Sequence, residues 1–185
     1  MQVFNDYNTE AAEIIKSGGV GVIRTDTLYG IVARADDTVA VERVFQIKQR
    51  TPSKPPIVLI ASTDQLFDKY PNQVYAYLNA NWPGPVSIIL PSKANLDWLA
   101  RGSSSISYRL PAKADLVDFI NQTGPLIAPS ANPEGLLPAS TIDQAMTYFG
   151  ESVDFYIDSS TVDIDQPPSQ LWRYDIETGE SKRLR

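Results

Sequence analysis

Short apolar runs alternate along this chain with segments of helical periodicity, and no linker divides them. Strands are predicted at 20–23, 57–61, 86–90, 105–110 and 154–157. Helices are predicted from Asn8 or Thr9 to Lys16, from Asp36 or Asp37 to about Gln49, at 74–79 and 112–121, and from 140 to Gly150, with a short one opening at Ser62. Interleaved strands and helices in 185 residues are typical of one α/β domain. We therefore predict a single domain over residues 1–185, with flanking helices on a twisted, mostly mixed β-sheet.

Turn signals account for much of the remaining chain. Residues 24–30 predict a polar loop, and the run Trp82-Pro83-Gly84-Pro85 ends the helix before it. Residues 177–180 predict a hairpin turn between strands at 170–174 and 181–184. The apolar face of the second helix is predicted to consist of Val39, Ala40, Val44, Phe45 and Ile47.

The chain contains no cysteine and no histidine. Disulfides, thiol catalysis and a Ser/His/Asp arrangement are therefore excluded, and any metal must be held by oxygen ligands, which suits Mg²⁺ carried on a phosphate. No apolar run approaches the roughly 20 residues of a membrane span, and the N-terminus lacks the pattern of a signal peptide. A cytoplasmic protein without membrane partners is expected.

The charge pattern favours a small anionic ligand over a nucleic acid. The net charge is −6, whereas broad nucleic-acid binding needs a basic surface. The cations occur in local groups, which are Lys48/Arg50/Lys54, Arg101/Arg109 and Lys182/Arg183/Arg185. The first group lies at the end of the second predicted helix, where Pro52 favours extended backbone and could direct several cations to one point. A charged turn after a helix is the alternative explanation of that group.

Each polar loop is a weak signal when taken alone. Thr25 and Thr27 could cap a helix, Ser130 and Asn132 could form a simple turn, and Arg109 could be an edge charge. Neither standard glycine-rich phosphate-binding motif is present.

The order and spacing of five such motifs are more specific, and together they resemble the YrdC family in its short, single-domain bacterial form. The motifs are Thr25-Asp26-Thr27-Leu28-Tyr29-Gly30, Lys48-x-Arg50, Trp82-Pro83-Gly84-Pro85-Val86-Ser87, Ser107-Tyr108-Arg109-Leu110-Pro111 and Pro129-Ser130-Ala131-Asn132-x-x-Gly135. The resemblance covers about residues 10 to 185. It implies a YrdC-like fold with a concave ligand cleft. It also implies a threonylcarbamoyl-AMP synthase, which joins L-threonine, bicarbonate or CO2, and ATP into an adenylate and releases pyrophosphate. A downstream threonylcarbamoyl-transferase complex then carries the group to tRNA.

The resemblance also implies roles for individual residues. The catalytic residues would be Lys48 and Arg50. L-threonine would be bound by Thr27, Arg109, Ala128 and Ser169, with Arg109 on the substrate carboxylate. ATP would be bound by Arg50, Lys54, Ser105, Ser130, Pro138 and Arg183. Thr25 and Asn132 would shape their loops. Mg²⁺ would arrive on the ATP phosphates, without a protein metal site.

The chain departs from the family pattern at several positions. Arg24 stands where the family has proline, Asp26 where it has glutamate and Leu59 where a histidine is frequent. Glu134 replaces the second serine of the S-A-N-x-S-G loop, which places an acid near a site for phosphates. Around Ser169, the family's Glu-Ser-Thr becomes Pro168-Ser169-Gln170.

Three alternatives remain open on sequence alone. A divergent paralogue of the YciO kind would keep the fold but use another substrate, and Arg24 and Glu134 would mark it. An RNA-binding module is possible through a basic concave face, although the acidic charge disfavours tRNA binding. A carbamoyl-transfer relative with the same fold is more remote.

Overall fold

A computed structural model describes residues 1–158 and 167–185, and their strands form one mixed sheet. The strands are β1 Gln2–Phe4, β2 Gly21–Arg24, β3 Tyr29–Arg34, β4 Ile57–Leu59, β5 Val86–Pro91, β6 Ser105–Arg109, β7 Leu126–Ile127, β8 Phe155–Ile157, β9 Gln170–Tyr174 and β10 Ser181–Arg183. Their order is β1-β8-β2-β3-β7-β4-β6-β5-β9-β10. The pairs β1–β8, β2–β8, β4–β6 and β5–β9 are parallel, whereas the other neighbours are antiparallel. The predicted mixed α/β sheet is confirmed.

The helices begin at side-chain caps in three of the places where the sequence predicts them. Asn8, Asp37 and Thr141 accept hydrogen bonds from the main-chain N–H three residues later, at 2.9, 3.0 and 3.2 Å. The helices are α1 Thr9–Lys16, α2 Thr38–Lys48, α3 Asn72–Asn81, α4 Asp97–Ala100, α5 Ala114–Thr123 and α6 Ile142–Phe149, with 3-10 turns at Thr63–Gln65 and Gly150–Ser152. None of the helices in the described residues is long and apolar enough to cross a membrane.

The sheet buries both faces, because successive side chains of its central strands belong to different core clusters. In β2, Val22 joins one cluster and its neighbour Ile23 the other, as expected for a strand with period two. Side chains of α2, α3 and α6 complete the first cluster, and those of α1 and α5 complete the second. Helices therefore cover the sheet on both sides.

Some elements differ from the sequence-based prediction. The strand β3 occupies residues 29–34, although 24–30 were predicted as a loop, and β1, β7 and α4 were not predicted. In α2, Val39 is 80% exposed, whereas Val41 is fully buried. With 3.6 residues per turn, the buried stripe runs through 40, 41, 44, 45 and 48, and position 39 lies beside it. The single-domain boundary at 1–185 stays a prediction.

Candidate active site

A cavity of about 830 Å³ lies against the sheet where β4, β6, β5 and β9 are neighbours. One row of paired residues crosses these strands and contributes to its lining: Ile57 pairs with Ser107, Ser107 with Ile89, and Ile89 with Arg173. The loop 25–28, the start of β3 and the segments 128–130 and 137–140 complete much of the lining. A volume of this size suits a small-molecule ligand.

Arg109 ends β6 at this cavity and is almost fully buried. Its Nη2 lies 3.0 Å from an Asp26 carboxylate oxygen, and its Nη1 donates to Thr27 Oγ1 at 3.2 Å. Burial lowers the pKa of Arg109, the nearby charge of Arg185 acts in the same direction, and Asp26 opposes both. The guanidinium is thus held by an internal anion while it faces the cavity.

The loop that carries Thr27 is shaped by hydrogen bonds of its own. Thr25 Oγ1 donates to the Leu28 carbonyl at 2.7 Å and lies 3.2 Å from Thr27 Oγ1. The Thr27 and Leu28 main-chain N–H groups both donate to Thr25 Oγ1 at 3.2 Å. Thr25 therefore connects three residues of this loop by hydrogen bonds, and it also lines the cavity.

Arg50 supplies a second guanidinium to the cavity from the end of α2. Gln49 caps that helix in the left-handed region at φ 52°, and the chain then turns away from the helix axis. Arg50 donates from Nε to the Lys54 carbonyl at 3.2 Å and from Nη2 to the Pro55 carbonyl at 3.3 Å. Burial lowers its pKa, and the charge of Glu134 opposes that shift.

Most of the predicted site residues line this one cavity. They are Thr25, Thr27, Arg50, Ser105, Arg109, Ala128, Ser130, Pro138 and Ser169. The predicted group Lys48/Arg50/Lys54 does not converge on one point, because its two lysines contact other partners.

Lys48 lies behind the cavity wall and is 2% exposed. Its ammonium nitrogen donates to the main-chain carbonyls of Ser130 and Asn132. Burial, with the charge of Arg50, lowers the pKa of Lys48 to about 7, and Glu134 opposes the shift. These contacts favour a positioning role for Lys48 over the direct catalytic role that the resemblance implies.

Three other predicted residues also lie outside the lining. Lys54 forms an ion pair with Glu134. Asn132 accepts from Ser130 Oγ at 2.6 Å and donates to the Leu136 carbonyl at 2.7 Å, so it shapes its loop. Arg183 is exposed and donates to the Arg185 carbonyl.

The family resemblance assigned no role to two arginines that line the cavity, Arg173 and Arg185, although Arg185 belongs to one of the cation groups. Arg173 lies two residues after Leu171 on β9, and both line the cavity, so strand alternation could have identified it. Arg185 follows β10 and donates from Nε and Nη2 to the Ser169 carbonyl, at 3.2 and 3.0 Å. No sequence signal separates it from Arg183.

The cavity presents cations and hydroxyl groups suited to an anionic, polar ligand. Two buried donors, Arg109 Nε and Ser107 Oγ, have no hydrogen-bond partner among the described residues. Both atoms are closed to solvent, and a buried donor without a partner costs free energy. Within residues 1–158 and 167–185, no three Asp, Glu, His or Cys side chains are grouped to hold a metal ion.

Comparisons with known proteins find relatives over most of the chain. A threonylcarbamoyl-AMP synthase of Marinobacter nauticus is 31% identical over 179 residues, which are 94% of this chain and 93% of that protein. The enzyme of the same name from Hahella chejuensis is 29% identical over 164 residues, covering 85% of this chain and 89% of its own.

Solved structures show the same fold. Sua5 of Pyrococcus abyssi complexed with L-threonine matches with a TM-score of 0.88 and 26% identity. That match covers 100% of this chain, which spans 57% of the Sua5 chain. Escherichia coli YciO matches with a TM-score of 0.84 and 21% identity, over 100% of this chain and 94% of its own. The family model for Sua5, YciO and YrdC proteins, described as telomere recombination, matches residues 13–174. The chain therefore belongs to the Sua5/YciO/YrdC family.

Proposed function

We propose that this protein is a threonylcarbamoyl-AMP synthase, which makes L-threonylcarbamoyladenylate from L-threonine, bicarbonate or CO2, and ATP, and releases pyrophosphate. The observation that carries the proposal is the buried Arg109, which faces a cavity that also receives Arg50 from a separate element. Two guanidinium groups from different elements suit a carboxylate and a polyphosphate in one site. The names of the full-length relatives support the same reaction.

In this proposal the threonine end of the cavity is built around Arg109. Its guanidinium pairs with the substrate carboxylate, while Thr27, Ala128 and Ser169 contact the rest of the amino acid. All four line the cavity. The Nη1 and Nη2 atoms of Arg109 contact Thr27 and Asp26, so the substrate carboxylate would share the guanidinium with these two residues.

The chemistry needs position and charge more than a basic side chain. The neutral threonine amine adds to CO2 to give a carbamate and releases a proton to solvent; when bicarbonate is the source, water leaves instead. A carbamate oxygen then bonds to the α-phosphorus of ATP while the bond to the pyrophosphate oxygen breaks, and pyrophosphate leaves. Arg50, with Ser105, Ser130 and Pro138 beside it in the lining, holds the nucleotide and offsets the developing charge. The chain has no histidine, and this sequence of steps requires none.

The predicted residues that do not line the cavity take other roles in this proposal. Lys48 acts as a positioning residue, because it holds the main chain of the Ser130 loop. Arg185, which lines the cavity, takes the part that the resemblance assigns to the exposed Arg183. Mg²⁺ enters on the ATP phosphates, since the cavity offers hydroxyl and guanidinium groups and no cluster of acidic ligands among the described residues.

Pyrophosphate release from ATP, measured with and without L-threonine and bicarbonate, tests the proposal. The wild type should release pyrophosphate only when both are present. Arg50→Ala and Arg109→Ala should lower the rate at least about 100-fold without loss of the fold. Arg34→Ala is the matched control, because Arg34 pairs with Asp36 at an exposed position. Turnover that ignores threonine, or a near-normal rate in folded Arg109→Ala, would refute the proposal.

The comparisons do not favour the alternatives of a YciO-like paralogue or an RNA-binding module. The use of bicarbonate, the delivery of the product to a threonylcarbamoyl-transferase complex and a cytoplasmic location belong to the proposal and rest on the family resemblance.

A further inference from the structure

The carboxylate of Glu134 accepts hydrogen bonds from three donor groups in the loop after α2. Glu134 Oε2 accepts from the Thr51 main-chain N–H and from Thr51 Oγ1, the latter at 2.8 Å. Glu134 Oε1 accepts from the Lys54 ammonium group. The Glu134 main-chain N–H also donates to the Lys48 carbonyl at 2.8 Å. The residue thus joins the Ser130 loop to the segment that contains Arg50.

These three donors form an arrangement that would suit a phosphate group. A main-chain N–H, a hydroxyl and an ammonium converge on one anion, as they do where proteins bind phosphate oxygens. Hydrogen bonds from Lys54 and Thr51 lower the pKa of Glu134 to about 2, because these donors favour the charged carboxylate. We call the donors of Thr51 and Lys54 the anion cradle; an internal anion fills it.

The anion cradle adjoins the nucleotide side of the cavity. Arg50 lines the cavity and donates to the carbonyls of Lys54 and Pro55, so its guanidinium lies against the loop that carries the cradle. Pro55, which follows Lys54, and Ser130, in the same loop as Glu134, line the cavity as well. The charge of Glu134 reaches Arg50, since it opposes the lowering of the Arg50 pKa. Glu134 therefore reduces the positive potential where a polyphosphate would bind.

We propose that Glu134 is an affinity-determining residue for the polyphosphate of a nucleoside triphosphate: its carboxylate competes with a phosphate group for the anion cradle. The proposal rests on the assignment of ATP to this cavity. Binding then exchanges the contacts of Glu134 with Thr51 and Lys54 for contacts with a phosphate. Glu134 is 26% exposed and Lys54 is 56% exposed in their side chains, so both can separate without disturbing the core.

Titration calorimetry with ATP, and with inorganic tripolyphosphate as a nucleoside-free probe, tests this competition in the full chain. Glu134→Gln keeps the size of the side chain and removes its charge. We expect the dissociation constants of both probes to fall about two- to fivefold. If Glu134 only connects the Ser130 loop to the loop after α2, removal of its charge would leave these dissociation constants unchanged or raise them. Either result would overturn the proposal. Glu151→Gln, at an exposed position of the Gly150–Ser152 turn, controls for the change in net charge.

A double-mutant cycle with Lys54→Gln provides a second, independent measurement. In the wild type Lys54 is occupied by Glu134, so its loss should weaken ATP binding slightly. In the Glu134→Gln background Lys54 is available to the phosphate, so the same change should weaken binding by a larger factor. Equal factors in the two backgrounds would contradict the competition.

The two proposals can fail separately. Binding of ATP and tripolyphosphate is measured without threonine and without turnover. Absence of threonine-dependent pyrophosphate release by the wild type would refute the synthase assignment. Normal release together with unchanged affinities in Glu134→Gln would refute the role of Glu134 alone.

Discussion

Lys48 is a charged residue type in a core position. It continues the buried stripe of α2 one turn beyond Val44, and it is 2% exposed. Its nitrogen is bonded to two carbonyls, of Ser130 and Asn132. A neutral amine still carries two N–H groups, which is enough for both acceptors, so the lowered pKa of about 7 is compatible with both contacts. The residue links the end of a helix to the loop that lines the cavity.

Replacement of Lys48 by methionine should therefore change both stability and its pH dependence. The variant leaves two carbonyls without their donor, which should lower the free energy of unfolding by about 1–3 kcal/mol.

The pH dependence of stability follows from the pKa of Lys48. In the wild type the folded pKa of about 7 lies below the ordinary 10.5, so between these pH values the unfolded chain binds more protons than the folded chain. Wild-type stability should thus rise from pH 7 to 9, by up to about 1.4 kcal/mol per unit. Urea unfolding at pH 7, 8 and 9 measures this. Parallel profiles for the wild type and Lys48→Met would contradict it.

At this scale the sequence predicts residue types near the cavity better than the atoms they contact. Thr27, Arg50 and Arg109 were predicted from motifs, and all three line the cavity. Lys48 and Arg50 were predicted to share one site because they are two residues apart. In the structure, Lys48 lies on the buried stripe of α2, whereas Arg50 follows the left-handed Gln49 and points in another direction. Arg185 reaches the cavity instead of Arg183 because of the path of the chain after β10, which no local pattern reports.

Among the elements, the pairing of β2 with β8 depends on a glycine. Gly21 is the register partner of Phe155, whose ring is fully buried over the glycine. A Cβ added at Gly21 would lie 2.1 Å from the Phe155 ring carbon Cζ. Any larger residue must displace that ring, which also packs against the ring of Phe4 at a centroid distance of 6.1 Å.

We expect Gly21→Ala to lower the free energy of unfolding by about 1–3 kcal/mol, because the new methyl group overpacks the core. All three nearest atoms belong to the Phe155 ring, so Phe155→Leu should relieve the conflict. A double-mutant cycle by urea unfolding measures the coupling. Gly21→Ala should cost less in the Phe155→Leu background than in the wild type. Additive costs would show that the conflict lies elsewhere.

Elements with local signals are predictable, whereas short pairing strands are not. The caps of α1, α2 and α6 and the hairpin of β9 and β10 follow from residue types near each end. The strand β3 was missed because its first residues follow the polar segment 25–27. The strands β1 and β7 have three and two residues, and their pairing partners lie elsewhere in the chain.

At the scale of the whole molecule, the strand order assembles the cavity from distant segments. The parallel pair β5–β9 brings Arg173 and Ser169 beside the strands that carry Ile89 and Ser107. The antiparallel pairs of β7 with β3 and β4 place Ala128 at the same cavity. Sequence reasoning predicts a mixed sheet, but it does not give this order, because strand pairing is set by packing over the whole fold.

The distribution of charge over the molecule argues against tight RNA binding. The net charge is −6, and many cations are already paired with carboxylates. These pairs include Arg34–Asp36, Arg43–Asp154, Lys54–Glu134, Arg101–Glu42 and Arg109–Asp26. A cation held by a carboxylate must exchange that partner before it can bind a phosphate, which weakens the contribution of these positions to binding of an RNA backbone.

We therefore expect no stable complex with tRNA at micromolar protein in about 0.15 M salt, near the physiological ionic strength. Electrophoretic mobility shift with unmodified tRNA, repeated at several salt concentrations, measures it, with a basic RNA-binding protein as the positive control. Phosphate contacts release counterions, so a backbone-binding protein loses affinity steeply as salt rises. Tight binding with a steep salt dependence would show that the paired cations leave their carboxylate partners and bind RNA phosphates. It would restore the RNA-binding role that the acidic surface disfavours.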